Sequence, residues 1–87
     1  IVIGRDVSCN LVVPDRMASR QHARIERRRD KFFVIDQSTN GTFVLFDGEP
    51  EITLRREEVM LRGKGRIALG HSVGDVADET IHFEVKG

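Results

Sequence analysis

Turn-forming residues interrupt this chain so often that no apolar segment reaches the length of an ordinary helix. The segments between the turns are rich in β-branched and aromatic residues. Only 54–61 includes a run of helix-forming residues, and its brevity favours a turn or a charged strand edge. Eight or nine short strands predict an all-β fold, a small antiparallel β-sandwich. The predicted strands are 1–3, 11–13, 22–28, 32–36, 42–46, 51–54, 59–61, 66–69 and 80–85.

Two of these segments predict a hairpin. In 22–28, Ala23 and Ile25 fall on one face and charged side chains on the other, which is typical of a strand with one solvated side. The polar turn 29–31 then leads into 32–36. Two glycine-containing segments have the sequence of further hairpin connections: Asn40-Gly41 and Gly63-Lys64-Gly65.

The composition predicts one domain, spanning 1–87. The chain has 87 residues, of which 39% are hydrophobic, enough for one core and too few for two. No segment approaches the ~20 apolar residues of a membrane span, and no signal peptide is recognisable, so no membrane insertion is expected. A single cysteine, Cys9, excludes an internal disulfide and indicates a reducing, cytoplasmic setting. Because the sequence begins inside a strand, we expect a domain excised from a longer protein, with its N-terminal strand missing.

Charge is balanced overall and uneven along the chain. Fourteen Lys and Arg residues offset fourteen Asp and Glu residues, which argues against wrapping nucleic acid by bulk charge. Residues 1–31 hold eight basic and four acidic residues, a net +4, and the remainder holds six basic and ten acidic residues, a net −4. This asymmetry predicts a local anion site on a neutral body.

Three short polar clusters carry the candidate chemistry. Gly4-Arg5 ends an apolar strand, where the glycine suits a left-handed turn and the guanidinium is free to bind an anion. Ser19-Arg20-Gln21-His22 places a hydroxyl, a guanidinium and an imidazole just before a strand. Ser38-Thr39-Asn40-Gly41-Thr42 adds hydroxyl groups around the asparagine-glycine turn. Taken alone, each cluster is explained by a turn with solvated side chains.

In this order, the three clusters resemble the forkhead-associated (FHA) domain family. The resemblance is close from Ile3 to about Val44, includes 65–70, and elsewhere rests on the strand pattern. It implies an eleven-stranded β-sandwich, here shortened, that binds phosphothreonine peptides through loops at one end; no catalytic residue, metal or cofactor is expected. The turn after Asp36 is one residue shorter than the common form. Residues 55–67 are similar to bacterial FHA segments that accompany nucleotide-cyclase domains.

The resemblance implies a role for each residue of the clusters. Arg5 grips the phosphate, Ser19 donates its hydroxyl to it, and Arg20 adds a backbone N–H and a second cation. Thr39 faces the phosphothreonine, and Asn40 bonds the peptide backbone. Such a site matches the charge of about −1.5 to −2 and the three acceptor oxygens of phosphothreonine. The implied function is the recruitment or sensing of phosphorylated protein partners in signalling.

Further residues support that site in the same resemblance. The His22 ring braces the loop that carries the serine, and Gly4 and Gly41 belong to the supporting turns. A specificity loop includes Arg16 and Met17, which predicts a preference for an aliphatic or acidic third residue after the phosphothreonine.

Other chemistries fit the sequence less well. Asp15, Ser19 and His22 have the side chains of a catalytic triad, but they lie within eight residues of each other, whereas triads draw their members from separate elements. We therefore expect no enzyme activity from this domain. Cys9 and the three histidines lack the close spacing of metal ligands. For the arginines at 27–29, a solvated hairpin tip is favoured over a nucleic-acid site, because the chain has no Trp or Tyr for bases to stack on and Phe32 and Phe33 are expected partly in the core.

One rival hypothesis stays open. It is a protein–protein or self-association domain that uses an exposed sheet edge or face and does not read phosphate. Titration with matched phosphorylated and unphosphorylated threonine peptides separates the two hypotheses.

Overall fold

A computed structural model describes residues 1–75 and 80–86 of the protein. Nine β-strands form two facing sheets in these residues, which confirms the predicted all-β sandwich. No helix in this part of the chain has the length and apolarity needed to cross a membrane. The strands are β1 (Val2–Gly4), β2 (Leu11–Val12), β3 (Ala23–Arg28), β4 (Lys31–Asp36), β5 (Thr42–Phe46), β6 (Ile52–Leu54), β7 (Glu58–Leu61), β8 (Gly63–Leu69) and β9 (Ile81–Val85).

The strand order brings several strand ends to one end of the sandwich. The first sheet has the order β2-β1-β3-β4-β7, and the second has the order β6-β5-β8-β9. All neighbours pair antiparallel except β1 and β2. In the first sheet Ala23 pairs with both Ile3 and Asp36. In the second sheet Thr42 pairs with both Leu54 and Leu69. The loops that follow β1, precede β3 and join β4 to β5 therefore start from the same end.

The core lies between the sheets and takes side chains from both. Val34 of the first sheet and Val44 of the second are fully buried. Phe46 and Phe83 meet edge to face with their ring centroids 5.7 Å apart. Burial of each large apolar side chain contributes about 1.5–3 kcal/mol. The loops at the end of the sandwich thus stand on a packed base.

The hairpin predicted from the alternating strand is confirmed. Arg28 pairs with Lys31 across a two-residue turn, and Arg29 in that turn takes a left-handed φ of 61°. Outside the sheet, Arg28 forks onto Glu58 at 2.6 and 3.0 Å and covers the Phe33 ring at 4.4 Å. The arginines of this tip are exposed to solvent, as the sequence predicted.

Two predicted hairpin connections are wrong. Asn40-Gly41 joins β4 to β5, which lie in different sheets, so the turn is a crossing between sheets. Gly63-Lys64-Gly65 lies inside β8. A Cβ on Gly65 would lie 2.4 Å from the Leu45 carbonyl oxygen and 2.6 Å from the Phe83 ring. The glycine at 65 is therefore required by close packing inside the sheet and not by a turn.

Candidate functional site

Three loops contact one another at the end of the sandwich. They are the β1–β2 loop (5–10), the β2–β3 loop (13–22) and the β4–β5 loop (37–41). The Arg5 backbone N–H donates to the Ser19 carbonyl oxygen at 3.0 Å, and the Thr39 N–H donates to the Ser19 hydroxyl at 3.3 Å. The structure thus brings together Arg5, Ser19 and Thr39, three residues that the sequence singled out separately.

Gly4 allows the first two loops to approach each other. A Cβ at this position would lie 2.1 Å from the Arg20 carbonyl oxygen and 2.9 Å from the His22 nitrogen. Gly4 is the last residue of β1 and is not among the glycines with a left-handed φ. The sequence-based explanation of this glycine, a left-handed turn, is therefore wrong. Its function is to let the backbone of the β2–β3 loop lie directly against β1.

Two arginines border a cleft beside Ser19. A cavity of about 300 Å³ is lined by Arg5, Asp6, Val7 and Arg20. The Arg5 Nε–H donates to the Ala18 carbonyl oxygen at 3.2 Å, which orients the guanidinium. The side chains of Arg5 and Arg20 are both exposed. Two guanidinium groups at one cleft favour the binding of an anion.

His22 joins the β2–β3 loop to the β4–β5 loop. Its ring is fully buried, and its Nδ1 accepts the Ser19 backbone N–H at 2.9 Å. Its Nε2 therefore carries the proton and donates to the Gly41 carbonyl oxygen at 2.7 Å. Burial lowers the pKa of this imidazole and keeps it neutral. The ring therefore lies behind the serine and joins the two loops.

Gly41 completes the crossing between the sheets. It is buried and has a φ of +93°, a left-handed conformation that glycine adopts without steric cost. Its N–H donates to the Ser38 hydroxyl at 2.8 Å, and its carbonyl oxygen also accepts the Gly70 N–H at 2.9 Å. The expectation that this glycine lets the turn close agrees with its conformation.

Asp36 organises the β4–β5 loop, a function that sequence reasoning missed. Its carboxylate accepts the Ser38 hydroxyl at 2.5 Å, the Thr42 hydroxyl at 2.6 Å and the Arg56 backbone N–H at 2.9 Å. Burial opposes ionisation of Asp36, but these hydrogen bonds outweigh burial and hold its pKa below the ordinary value. The carboxylate thus stays charged and keeps the loop that carries Thr39 in place.

A buried carboxylate, Asp15, also holds the part of the β2–β3 loop that includes Arg16 and Met17, and the sequence did not reveal this interaction. The Asp15 carboxylate is buried and accepts the Met17 backbone N–H at 2.8 Å. Its other oxygen is paired with Nε2 of His71, a residue 56 positions away. Burial lowers the pKa of His71, but hydrogen bonds to the Ser72 carbonyl and to Asp15 outweigh burial and raise it above the ordinary value. Their long separation in sequence left no local signal of this pair.

The specificity-loop residues are available to a partner. Arg16 is exposed, and Met17 has 45% of its surface exposed. The Met17 carbonyl oxygen accepts the Asn40 side-chain amide at 3.1 Å. Asn40 therefore links the β2–β3 and β4–β5 loops and still exposes its side chain to solvent.

The geometry does not form a catalytic triad. Asp15 pairs with His71, and the Nδ1 of His22 accepts the backbone N–H of Ser19 and not its hydroxyl proton. Over residues 1–75 and 80–86, no group of three His, Cys, Asp or Glu side chains is placed to hold a metal ion.

A family model decides what kind of domain this is. The model described as the FHA domain matches residues 1–70. The chain belongs to the FHA domain family. The sequence-based family assignment is confirmed, and since an FHA domain is a binding domain without catalysis, this FHA domain is not an enzyme.

A curated relative and three solved structures resemble this FHA domain. The relative is a probable serine/threonine-protein kinase, fhkA, from Dictyostelium discoideum, 29% identical over 85 residues. The match covers 87% of this chain and 14% of the kinase, so the chain spans about one seventh of that relative. The first structure, the FHA-1 domain of Mycobacterium tuberculosis Rv1747, has a TM-score of 0.70 and 24% identity, covering all of this chain and 79% of that one. The similarity to the Rv1747 FHA-1 domain supports the β-sandwich fold of this chain.

The two other structures have higher sequence identity. The FhaA FHA domain in complex with the intracellular domain of Rv3910 is 31% identical, with a TM-score of 0.62, covering 80% of this chain and 70% of that one. An FHA domain from a structural and functional study of phosphothreonine-dependent FHA interactions is 32% identical, also with a TM-score of 0.62, covering 80% of this chain and 67% of that one.

Proposed function

We propose that this FHA domain binds phosphothreonine peptides at the end of the sandwich where its three loops meet. The observation that carries the proposal is the position of Ser19 between the other two loops. Its hydroxyl accepts the Thr39 N–H and so retains its own proton for an acceptor. The guanidinium groups of Arg5 and Arg20 border the adjacent cleft. These groups supply donors and positive charge on one side of a bound phosphate.

The remaining site residues complete the proposed contacts. Arg5 forks onto two phosphate oxygens, Ser19 and Arg20 donate to the third, and Thr39 faces the threonine side chain. The exposed amide of Asn40 bonds the peptide backbone, while its bond to Met17 keeps the loops in register. The FhaA FHA domain in complex with the intracellular domain of Rv3910 and the FHA domain from the study of phosphothreonine-dependent interactions support phosphopeptide binding as the function of this site.

The magnitudes are consistent with reversible recruitment. Charge-assisted hydrogen bonds contribute about 1.5–3 kcal/mol each. Three or four of them, less the cost of ordering a flexible peptide, leave ~7–9 kcal/mol, which corresponds to micromolar affinity. Burial of the threonine γ-methyl adds roughly 1 kcal/mol over phosphoserine, a several-fold preference.

Fluorescence anisotropy with one labelled peptide in three forms tests the proposal. We expect micromolar binding of the phosphothreonine form, several-fold weaker binding of the phosphoserine form and none of the unphosphorylated form. Arg5→Ala is expected to abolish binding. The matched control Arg27→Ala removes an exposed arginine from the far end of β3 and should leave affinity unchanged. Equal binding of phosphorylated and unphosphorylated peptides would instead support the phosphate-independent rival.

The specificity loop sets the proposed preference at the third residue after the phosphothreonine. Exposed Met17 offers an apolar, adaptable contact and exposed Arg16 a cation. We propose that aliphatic or acidic residues are selected there. A degenerate phosphothreonine library that returned a basic preference would contradict this assignment.

Our proposal extends to the protein that contains this domain. We propose that residues 1–87 are one domain of a longer signalling protein that acts in the cytoplasm. The small share of the kinase relative that the chain spans supports a multidomain host. Mycobacterial structural relatives support a bacterial origin, and the resemblance of 55–67 supports a nucleotide-cyclase domain in the host. The complete open reading frame tests each of these points.

A further inference from the structure

The turn between β6 and β7 (55–57) is fastened to the β4–β5 loop. The Arg56 backbone N–H donates to the Asp36 carboxylate at 2.9 Å, and its Nε–H donates to the Ser38 carbonyl oxygen at 3.1 Å. Arg56 has a left-handed φ of 57°, a conformation that costs energy in a residue with a Cβ and persists only where the surroundings hold it. The residue before Arg56 is consequently held in a defined position.

That residue, Arg55, places its guanidinium beside the loop that carries Thr39 and Asn40. Its Nη1 lies 3.8 Å from the position that a Cβ on Gly41 would occupy. The Arg55 backbone N–H is capped by the Glu57 carboxylate at 3.1 Å. The Arg55 side chain itself is exposed and has no carboxylate partner in the described part of the chain.

Three other exposed arginines differ in this respect. Arg28 and Arg62 each fork onto a glutamate, and Arg24 lies 3.4 Å from Glu26. The positive charge of each of these three arginines is therefore balanced by a neighbouring glutamate. The Arg55 guanidinium has no ion pair among residues 1–75 and 80–86, so it adds positive charge next to the proposed peptide site, and such a charge attracts anionic side chains.

The position of Arg55 limits which peptide residue it can contact. Consecutive Cα atoms are about 3.8 Å apart, so Gly41 lies within about 7.6 Å of Thr39. The guanidinium near Gly41 is therefore roughly 10 Å from the residue that faces the phosphothreonine. An extended peptide advances about 3.3 Å per residue, so that distance corresponds to two to four residues.

We propose that Arg55 is a specificity-determining residue that binds an acidic peptide side chain two to four residues from the phosphothreonine. This inference rests on the proposed phosphopeptide function and adds a second anion contact outside the phosphate cleft. Because the contact is exposed, it distinguishes acidic from neutral peptides by about three- to fivefold in affinity, and the difference decreases at high salt.

A peptide scan with matched variants tests the inference. A phosphothreonine peptide with neutral flanks carries one Asp, or Asn as control, at each of the four positions on either side of the phosphothreonine. The wild type and the variants Arg55→Gln, Arg16→Gln and Arg27→Gln are titrated by anisotropy. Arg27→Gln removes the same charge at the far end of β3, and Arg16→Gln removes it from the specificity loop.

We expect an Asp-over-Asn gain of about three- to fivefold at one or more positions two to four residues from the phosphothreonine. That gain should disappear in Arg55→Gln and persist in Arg27→Gln, and these two variants should bind the Asn peptide as the wild type does, while Arg16→Gln measures the separate contribution of the specificity loop. A gain that persists in Arg55→Gln, disappears only in Arg16→Gln or is absent in the wild type overturns the inference. If the parent phosphopeptide does not bind at all, the proposed function itself fails.

Discussion

The two ends of the sandwich hold their charged groups in opposite ways. At the end where the three loops meet, Asp36 and His22 are buried, and each links one loop to another. At the hairpin end, Arg28 and Arg62 form equally short pairs with glutamates, but these pairs lie on the surface. The donor–acceptor distances at the two ends are similar, but the groups at the loop end are buried and those at the hairpin end are exposed to solvent.

This difference explains why the loops can act as a rigid site. A buried polar group that loses its partner cannot turn to water and costs about 1–3 kcal/mol. The buried network therefore penalises every loop arrangement except one. An exposed ion pair exchanges its partner for water at little cost. Binding geometry is thus maintained by the buried groups, while the surface pairs contribute mainly to solubility and local order.

The largest effect is expected from Asp36→Ala. The variant leaves the Ser38 and Thr42 hydroxyls and the Arg56 N–H without their acceptor in a buried setting. The free energy of unfolding should fall by roughly 3–5 kcal/mol, as measured by urea denaturation. Asp47→Ala, which removes an exposed carboxylate, is the control and should leave the urea midpoint unchanged. A loss of less than about 1 kcal/mol for Asp36→Ala would remove the distinction between the two ends.

Gly4→Ala is expected to weaken both binding and folding. The added methyl would lie 2.1 Å from the Arg20 carbonyl oxygen, so the β2–β3 loop has to move away from β1. We expect at least a tenfold loss of phosphothreonine-peptide affinity and roughly 1–3 kcal/mol of stability. Gly74→Ala is the control, because no atom of the described residues lies within 4 Å of its Cβ position. Unchanged affinity in Gly4→Ala would mean that the loop contact does not shape the site.

Buried His22 and part-buried His71 should give opposite pH dependences. The pKa of His71 is raised, so its pairing with Asp15 stabilises the fold fully below the unfolded pKa, about 6.5, and this contribution is lost as pH rises through the folded pKa. The pKa of His22 is lowered, so its contribution is present above pH 6.5 and is lost as pH falls through the folded pKa.

Urea midpoints between pH 5.5 and 8.5 measure this dependence. His71→Gln should lower the midpoint most at the acidic end of that range and least at the alkaline end. The exposed His82→Gln is the control and should leave the midpoint close to that of the wild type. A destabilisation by His71→Gln that grows with pH would contradict the assignment of a protonated His71.

The smallest effect is expected from Arg28→Gln. This variant breaks the fork onto Glu58 and the contact with the Phe33 ring, both on the surface. Phosphothreonine-peptide affinity should not change, and the urea midpoint should move no further than in the control variants. A destabilisation comparable to that of Asp36→Ala would show that the hairpin end is as tightly organised as the loop end.

The strands were predictable because their signal is local. Alternation in β3 and the polar turn after it indicated the hairpin, and the register of Arg28 with Lys31 confirmed it. The two hairpins that failed, at Asn40-Gly41 and Gly63-Lys64-Gly65, depended on which sheet the next strand joins. A turn sequence does not indicate which sheet the next strand joins, since the same residues can connect two strands of one sheet or two strands in different sheets.

The sequence predicted the residues of the candidate site, but it did not predict the buried groups that hold the three loops in place. The order of the three polar clusters indicated the family, and the structure brings Arg5, Ser19 and Thr39 together. The sequence did not reveal the bond of Asp36 to the Arg56 backbone or the pairing of His71 with Asp15, because these partners lie 20 and 56 residues away. The sequence indicated Gly4 as a left-handed turn residue, but the glycine is required because the Arg20 carbonyl oxygen, sixteen residues away, would lie 2.1 Å from a Cβ at this position.

Period-two alternation, closely spaced turns and three ordered clusters are properties of the chain itself, and they determined a β-sandwich of the FHA family without reference to any contact. Tertiary structure alone decided which carboxylates and imidazoles are buried and therefore which protonation states hold the loops. Burial and partner choice depend on groups that meet only after folding, where lost hydration has to be replaced by hydrogen bonds from distant segments.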